Sequence, residues 1–348
     1  MPDHRICLTP KVSGVGGMVS FRRRLATGLA RRGVDLGDDL EDGRYDAVLV
    51  IGGTRQLAGL WRARRRGARI VQRLDGMNWL HRLRRTGLRH YLRAEYGNWL
   101  LSFIRSRLAE GVVYQSEFAR GWWERVYGRT LVPWRVIYNG VDLSVYSPTG
   151  PGQPPVDRWR ILLVEGSLMG GYELGLEAAV DLAGEISQLG NYAHSLLMNR
   201  VELMVVGRVS PETRLRWEQR ASVPIVWADL QPPERIPEID RSAHLLYSAD
   251  LNAACPNSVI EALACGLPVL SFDTGALPEL VVGDAGRVVP YGGDPWRLER
   301  PDISALGEAA LEILGDQARF RRAARSRAEG AFGLDDVVQR YMDVLLGR

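Results

Sequence analysis

The chain has 348 residues and is 46% hydrophobic, which is enough apolar material for two cores in domains of roughly 150–200 residues each. No run of about 18 apolar residues occurs, and the N-terminus leads into a polar, glycine-rich stretch, so we predict neither a membrane span nor a signal peptide but a soluble, cytoplasmic protein. Three scattered cysteines, Cys7, Cys255 and Cys265, argue against a disulfide framework and against a zinc site.

Charge is distributed unevenly along the chain. Residues 1–150 hold 26 Lys and Arg against 13 Asp and Glu, a net charge of +13, and the remaining residues hold 19 against 28, or −9, which together give the formal +4. The Arg-rich runs of the first half could be ordinary solvated helix faces, or they could meet an acidic acceptor, a membrane surface or nucleic acid. Nucleic acid is disfavoured because the runs do not form an aromatic and basic stacking motif.

Apolar runs of strand length alternate with amphipathic segments, a pattern typical of parallel α/β sheets. For the first half we predict strands at 5–9, 47–52, 68–74, 111–116 and 134–139, with helices at 21–32, 95–110 and 117–127. For the second half we predict strands at 159–166, 202–208, 224–229, 244–249, 268–272 and 287–290, with helices near 175–190, 211–220, 258–265 and 303–314.

The segment SPTGPGQPPVDR is rich in Pro and Gly without an apolar period, which predicts a linker and a domain boundary near 148–158. We therefore predict a first Rossmann-like domain over 1–150 and a second over 151–330. The last residues, 331–348, have apolar positions at helical spacing and predict a terminal helix.

The most informative stretch of the chain runs from Asp250 to Gly286. Asn257 or Ser258 can cap a helix with the interior VIEALA, which places Glu261 one turn inside the helix N-terminus. A helix N-terminus favours phosphate, and a carboxylate beside it can accept a sugar hydroxyl. Ser258 and Glu261 also fit a capping box, in which the Glu bonds only to its own helix start. The residues alone leave both interpretations open.

The run PNSVIEALACGLPV, with TGALPELV and GDAG after it, resembles the donor-binding signature of the family 4 glycosyltransferases. The segments VYQSEFARGWWERVYG and VIYNGVDLSVYSP resemble the passage of that family from its first domain into the linker. The resemblance covers nearly the whole chain and is strongest at 112–148 and 250–290.

The resemblance implies the B-type (GT-B) fold, in which two Rossmann-like domains have parallel sheets facing across a cleft. It implies an acceptor domain first, a donor domain second, and a C-terminal helix that returns to the first domain. In the donor domain, the helix start at Pro256, Asn257 and Ser258 would hold the donor phosphates and sugar, and Glu261 would bind the ribose.

Three further segments are candidates for donor contacts. Gly16 and Gly17 belong to a glycine-rich turn before a helix and permit close approach of a ligand, although the spacing is not that of a dinucleotide-binding loop and a structural turn is the alternative. Arg208 follows a strand and suits phosphate, or is an ordinary surface residue. The resemblance implies that the Gly16 loop faces the donor and acceptor, and that the loop at Leu230 packs the nucleobase.

The chain departs from the family pattern where the donor would bind. Ala253 stands where the first of two signature glutamates is expected, and Asp250 or Asn252 could substitute for it. The basic pair on the pyrophosphate is also absent. Ser167 and Gly170 stand there instead, beside Glu165, and Gly166 joins them as a candidate donor contact. Phosphate would then be held by the amides of Gly170 and Gly171 and by Arg208.

A third departure lies in the first domain. Asp75 occupies the place of a histidine that family members often carry after a strand. A carboxylate at the carboxyl end of a strand could act as a base or orient a hydroxyl, or it could merely cap a loop. We therefore name Asp75, with Glu261, as the candidate catalytic residues.

Together these observations predict a glycosyltransferase that moves a sugar from a nucleotide-diphosphate sugar to an acceptor hydroxyl. The resemblance implies retention of anomeric configuration, with no metal and no cofactor besides the donor substrate. The acceptor is not identified; it could be anionic or lie at a membrane surface, and the oligomeric state is open. The alternative is a non-catalytic sugar-nucleotide-binding or scaffold protein of the same fold, which the two losses in the donor signature favour.

Overall fold

A computed structural model describes residues 4–14, 16–84, 87–168, 173–192 and 200–348 of the chain. The chain divides into two compact units. The first contains residues 1–140 and 334–348, and the second contains residues 141–333. The Pro- and Gly-rich segment at 148–158 therefore lies inside the second unit, where Arg241 donates hydrogen bonds to the carbonyls of Ser147 and Pro151.

The first unit is built on one parallel sheet in the order β2-β1-β3-β4-β5-β6. Its strands are β1 (Arg5–Thr9), β2 (Asp35–Gly37), β3 (Ala47–Ile51), β4 (Arg69–Leu74), β5 (Gly111–Tyr114) and β6 (Trp134–Val136). Its helices are α1 (Gly17–Arg31), α2 (Leu57–Arg65), α3 (Leu88–Phe103), α4 (Glu117–Tyr127) and, from the C-terminus, α12 (Leu334–Leu345).

The second unit is built on a parallel sheet in the order β12-β11-β10-β7-β8-β9. Its strands are β7 (Trp159–Ser167), β8 (Val201–Arg208), β9 (Ile225–Trp227), β10 (Leu245–Ser248), β11 (Val269–Phe272) and β12 (Gly286–Val289). Its helices are α5 (Glu173–Tyr192), α6 (Pro211–Arg220), α7 (Ile236–Arg241), α8 (Asn257–Ala264), α9 (Leu277–Leu280), α10 (Ile303–Gly315) and α11 (Gln317–Ala331). No helix among the described residues is long and apolar enough to cross a bilayer.

The two sheets confirm the predicted α/β class and the predicted parallel strands. The strands could be recognised in the sequence because parallel strands, which are covered on both faces, are continuous apolar runs. The prediction for α4 is correct at both ends, since the Ser116 hydroxyl caps it by accepting the Ala119 N–H at 3.0 Å. The predicted start of α3 was wrong by seven residues. This helix begins at Leu88 after Gly87, whose φ of 85° favours glycine, and it passes into a π-helical turn at Ile104–Leu108.

Helix α12 completes the core of the first unit. Its Tyr341 ring lies 5.3 Å from the Phe21 ring of α1, centroid to centroid, and Val338 is fully buried against the same helix. Gly28 of α1 makes this approach possible, because a Cβ atom there would lie 2.4 Å from Cγ2 of Val338.

We predict that Gly28→Ala destabilises the protein by about 1–3 kcal/mol, since a β-branched, fully buried neighbour cannot move aside without strain. The free energy of unfolding in urea measures the effect. Gly121→Ala in α4 is the matched control, because a Cβ atom there meets nothing within 4 Å and removing a helical glycine stabilises by roughly 0.5–1 kcal/mol. Equal effects of the two substitutions would contradict the packing of α1 on α12.

Candidate functional site

The candidate site of the second unit lies at the carboxyl edge of its sheet. The strand order places β7 beside β10, and the chain leaves these two strands toward opposite ends of the sheet. Such a switch point opens a crevice beyond the carboxyl ends of the strands, where ligands of doubly wound sheets bind. Glu165 near the end of β7 and Asp250 just after β10 are therefore neighbours at this edge.

Strand β7 is bulged at its last residues. Val164 pairs with Val206 and Ser167 pairs with Arg208, so Glu165 and Gly166 together oppose Gly207. A Cβ atom at Gly207 would lie 2.3 Å from the Glu165 carbonyl oxygen, which requires glycine at this position. A bulge re-aims the side chains beside it and is frequent next to binding sites.

The two carboxyl groups at the switch point, Glu165 and Asp250, both have a raised pKa. Burial, followed by the charge of Asp250, raises the pKa of Glu165 to about 8. Burial raises the pKa of Asp250 to about 6. Tyr247, buried at the end of β10, also has a raised pKa because of burial, the Tyr291 hydroxyl and the Glu165 carboxylate. At neutral pH the pair therefore carries about one negative charge rather than two.

Helix α8 differs from its prediction at the N-terminus. Pro256, with φ −68° and ψ 126°, is the N-cap residue and makes no side-chain capping bond. The prediction that Asn257 or Ser258 caps the helix was wrong, because both lie inside the first turn. Glu261 is the fifth helical residue rather than the third, so the capping-box interpretation does not apply.

Glu261 is buried on the inner side of α8. It is 8% exposed and faces Asp240 of α7, whose pKa is raised well above its usual range by burial and by the Glu261 charge. A hydrogen bond with Cys265 and the charge of Arg241 partly offset this shift. Asp240 thus favours its protonated form, which relieves the repulsion between the two carboxyl groups.

The loop between β10 and α8 carries the residues that could replace the missing glutamate. Ala253 is buried, and its carbonyl accepts the Ala276 N–H at 2.8 Å. Asn252 has a φ of 58° and a buried Nδ2 with no hydrogen-bond partner among the described residues. Asp250 faces Glu165 as described above, so of the two candidates it is the one with a charge at the switch point.

Two further predicted donor contacts, Arg208 and Leu230, lie at the same edge of the sheet. Arg208 ends β8 and is exposed, and its guanidinium group makes no hydrogen bond or ion pair within the described part of the chain. Leu230 is half-buried after β9, next to Asp229 with its φ of 54°. Gly170 and Gly171 lie outside the described residues.

In the first unit the carboxyl edge of the sheet carries the other candidates. Gly16, with a φ of 145°, precedes α1, and Gly17 is the first residue of that helix. Both glycines are exposed and follow β1, which lies at the switch point of this sheet beside β3. A Cβ atom at Gly16 would contact nothing within 4 Å, so the backbone conformation rather than crowding requires glycine there.

Asp75 follows β4 at the same edge as Gly16 and Gly17. Burial raises the pKa of its carboxyl group, and the Arg73 guanidinium partly offsets the shift. The Asp75 carbonyl accepts the Trp123 Nε1–H at 2.7 Å, which fixes the backbone at this turn. His81 is not its partner, because His81 Nε2 lies 2.8 Å from Glu95 Oε1.

Two features were not predicted from the sequence. A cavity of about 190 Å³ in the second unit has an aromatic wall of Tyr247, Phe272 and Tyr291, which come from separate strands and a loop and therefore share no sequence motif. The coupling of Glu261 to Asp240 was also missed, since it depends on the packing of α7 against α8. Within the described ranges no group of three or more His, Cys, Asp or Glu residues could hold a metal ion.

Comparison with solved structures defines the class of fold. Over 99% of this chain and 100% of the other, the chain is similar to a sucrose-phosphate synthase from Thermosynechococcus elongatus, with a TM-score of 0.68 and 17% identity. It is similar over the same shares to Anabaena HepE solved in complex with UDP-glucose, with a TM-score of 0.69 and 15% identity. These similarities establish the predicted GT-B fold, with two α/β units that each contain a parallel sheet.

Comparison of sequences defines the family. Residues 180–316 match the profile of the family described as glycosyl transferases group 1. The chain is 29% identical over 235 residues to a D-inositol 3-phosphate glycosyltransferase of Xylanimonas cellulosilytica, a match that covers 63% of this chain and 52% of that relative. The chain thus spans about half the length of this curated relative. The matches agree with the predicted resemblance to this glycosyltransferase family, at low identity and, for the family profile, over residues 180–316 alone.

The raised pKa of Glu165 predicts how the stability of the folded protein changes with pH. Because the pKa of Glu165 in the folded protein, about 8, exceeds its ordinary value of 4.5, the unfolded chain binds fewer protons between these values and stability falls as pH rises through this window. Glu165→Gln removes this loss. We expect its melting temperature to equal that of the wild type near pH 5 and to exceed it at pH 9 by several degrees, on the scale of roughly 2–4 °C per kcal/mol.

Glu308→Gln is the matched control for this measurement, since Glu308 is an exposed glutamate of the same unit. Its melting curve should follow that of the wild type at every pH. If Glu165→Gln also shows the wild-type pH dependence, the pair does not hold a proton near neutrality.

Proposed function

We propose that this protein is a glycosyltransferase that moves a sugar from a nucleotide-diphosphate sugar to an acceptor hydroxyl. The observation that carries the proposal is the convergence, at one edge of the second sheet, of an α8 start without a side-chain cap and the unpaired cation Arg208. A helix start and an arginine together suit a diphosphate. UDP-sugars are the first donors to test, because HepE was solved with UDP-glucose.

Within this proposal each residue has a role. The first-turn amides of α8 at Asn257 and Ser258, with Arg208, hold the diphosphate, while the backbone at Gly166 and Ser167 allows the ligand to approach the bulged end of β7. The proposal also includes the amides of Gly170 and Gly171 as phosphate-binding groups.

The sugar and nucleoside are assigned to other side chains. Asp250 accepts sugar hydroxyls in place of the missing glutamate at Ala253, and the proton held on Glu165 lowers the repulsion between this edge and the phosphates. Glu261 accepts a ribose hydroxyl, and Leu230 packs against the base.

The first unit supplies the acceptor side in this proposal. The glycine turn at Gly16 and Gly17 contacts the substrates, and Asp75 orients or deprotonates the acceptor hydroxyl, a role that suits a carboxyl group whose pKa is raised by burial. The proposal includes retention of anomeric configuration and activity without metal, both on the family resemblance. The product anomer by NMR and activity in the presence of EDTA test these two points.

A second candidate function is binding of a sugar nucleotide without transfer. Two carboxyl groups, Glu165 and Asp250, lie at the switch point, where Arg208 is the only cation that we place at the donor edge. A weakened phosphate site could bind a donor and fail to turn it over.

The predicted cytoplasmic location also stays a proposal. The three cysteines are buried free thiols, the state that a reducing compartment favours.

The first test is donor binding. We expect UDP-, GDP-, TDP- or ADP-sugars of one nucleotide class to raise the melting temperature of the wild type, and we expect Glu261→Ala to weaken that donor by about 1–3 kcal/mol through loss of the ribose hydrogen bond. Titration calorimetry gives the affinities. If Glu261 serves only the packing against Asp240, stability will change while donor affinity stays at the wild-type value.

Strand β8 offers a matched pair of controls for the same test. Arg208 ends the strand at the carboxyl edge, and Arg200 is the exposed residue just before the opposite end. Arg208→Gln should lower donor affinity, whereas Arg200→Gln, with the same change of charge, should not. Equal loss in both variants would mean a diffuse electrostatic effect and would refute the phosphate site at Arg208.

Catalysis is tested at Asp75. Asp75→Asn should lower the rate of transfer by roughly 10²–10⁴-fold, the range of a positioned acid or base, while donor affinity stays near the wild-type value. Asp336→Asn, at an exposed carboxylate of α12, is the control. If the wild type binds a donor but transfers its sugar to none of a broad set of acceptors, the result would instead support the second candidate function, sugar-nucleotide binding without transfer.

A further inference from the structure

The outer face of α3 carries an apolar stripe, most of which is exposed. Leu88, Leu92, Tyr96, Trp99 and Phe103 follow one another at spacings of four, four, three and four residues. At 100° per residue these positions fall within an arc of about 80°. The first four are 73%, 59%, 45% and 51% exposed in chain order. The five residues are called the α3 stripe below.

Most of the stripe faces away from the side of α3 that packs on the first unit. The packed side includes the buried residues Ala94, Asn98 and Leu100, and Asn98 Oδ1 accepts the Asn78 N–H at 3.0 Å. Of the stripe, only Phe103 at its C-terminal end is partly buried against the core, so the other four residues are not the part of the helix that joins it. Large exposed apolar surfaces on a soluble domain mark interaction sites.

The aromatic rings of the stripe are ordered rather than scattered. The Tyr96 and Trp99 rings are stacked with centroids 5.9 Å apart, and the Trp99 and Phe103 rings are stacked at 5.4 Å. The Arg55 guanidinium lies 5.9 Å from the centroid of Tyr96. Amphipathic aromatic rings beside arginine are the side chains favoured at the boundary between headgroups and acyl chains.

Charge around the stripe is positive. Arg89 and Arg93 project from α3 beside it, and these two and Arg55 are exposed without an ion pair among the residues described. The one carboxylate of α3, Glu95, is hydrogen-bonded to Arg82 and, more weakly in its effect, to His81, and these bonds lower its pKa to about 2. The surface thus combines apolar side chains with uncompensated cations.

We propose that the α3 stripe docks the protein onto an anionic lipid bilayer. Leu88, Leu92 and Trp99 enter the region between headgroups and acyl chains, while Arg55, Arg89 and Arg93 contact lipid phosphates. Nucleic acid would use the cations but would leave the leucines in water. A neutral partner would leave the cations without counter-charges.

The test uses flotation of the full chain with vesicles of phosphatidylcholine alone or mixed with phosphatidylglycerol. We expect binding only to the anionic vesicles, weakened by salt. The triple variant Leu88→Ser, Leu92→Ser, Trp99→Ser should lose binding at an unchanged melting temperature. The exposed control Leu131→Ser should bind as the wild type does, since Leu131 is also exposed in the first unit but lies outside α3.

The charge contribution has its own matched pair. Arg89→Gln with Arg93→Gln should weaken vesicle binding by roughly 10- to 30-fold, whereas Arg129→Gln with Arg135→Gln, the same loss of charge at exposed positions outside α3, should not. Binding of the stripe variant like the wild type, equal binding to both kinds of vesicle, or equal losses in the two charge variants would overturn the proposal. So would self-association of the wild type that the triple variant abolishes, because a second copy would then cover the stripe.

Discussion

The direction of the strands is the constraint on which the rest of the structure depends. Every strand pair in both sheets is parallel, so in each sheet the carboxyl ends of all strands meet at a single edge. Residues far apart in sequence therefore converge without any contact between their own segments. Glu165, Arg208 and Asp250 are neighbours of this kind, and Gly16 and Asp75 share the corresponding edge of the first sheet.

The chemistry of the second edge is limited by charge. A nucleotide diphosphate needs positive potential, yet two carboxyl groups lie at the switch point and only Arg208 is a cation among the residues that we place there. In the proposed donor site, retention of a proton on Glu165 would resolve part of this conflict, because a neutral carboxyl group can donate a hydrogen bond to a phosphate oxygen. The start of α8, which has no side-chain cap at Pro256, can supply amide groups as well.

Strands and well-capped helices could be predicted from the sequence because local physics determines them. The buried parallel strands are continuous apolar runs, and α6 begins where Ser210 caps it and Pro211 fits its first turn. The cap of α8 could not be predicted in this way, because Asn257 and Ser258 are better capping residues than Pro256. The shared proton of Glu165 and Asp250 depends on strand order, which no local pattern contains.

The same limit explains why the role of α3 could not be predicted. Helical periodicity identifies an apolar face, and the usual inference is that this face is buried in the core. Here the core instead takes Ala94, Asn98 and Leu100, and the α3 stripe stays exposed except at Phe103. Because the stripe contributes little burial, the stability of the first unit does not account for its leucines and tryptophan. Positive charge surrounds it in the half of the chain that carries a net +13. A transferase held at an anionic bilayer in this way would meet acceptors that are themselves confined to that surface, and this would raise their effective concentration without any further contact.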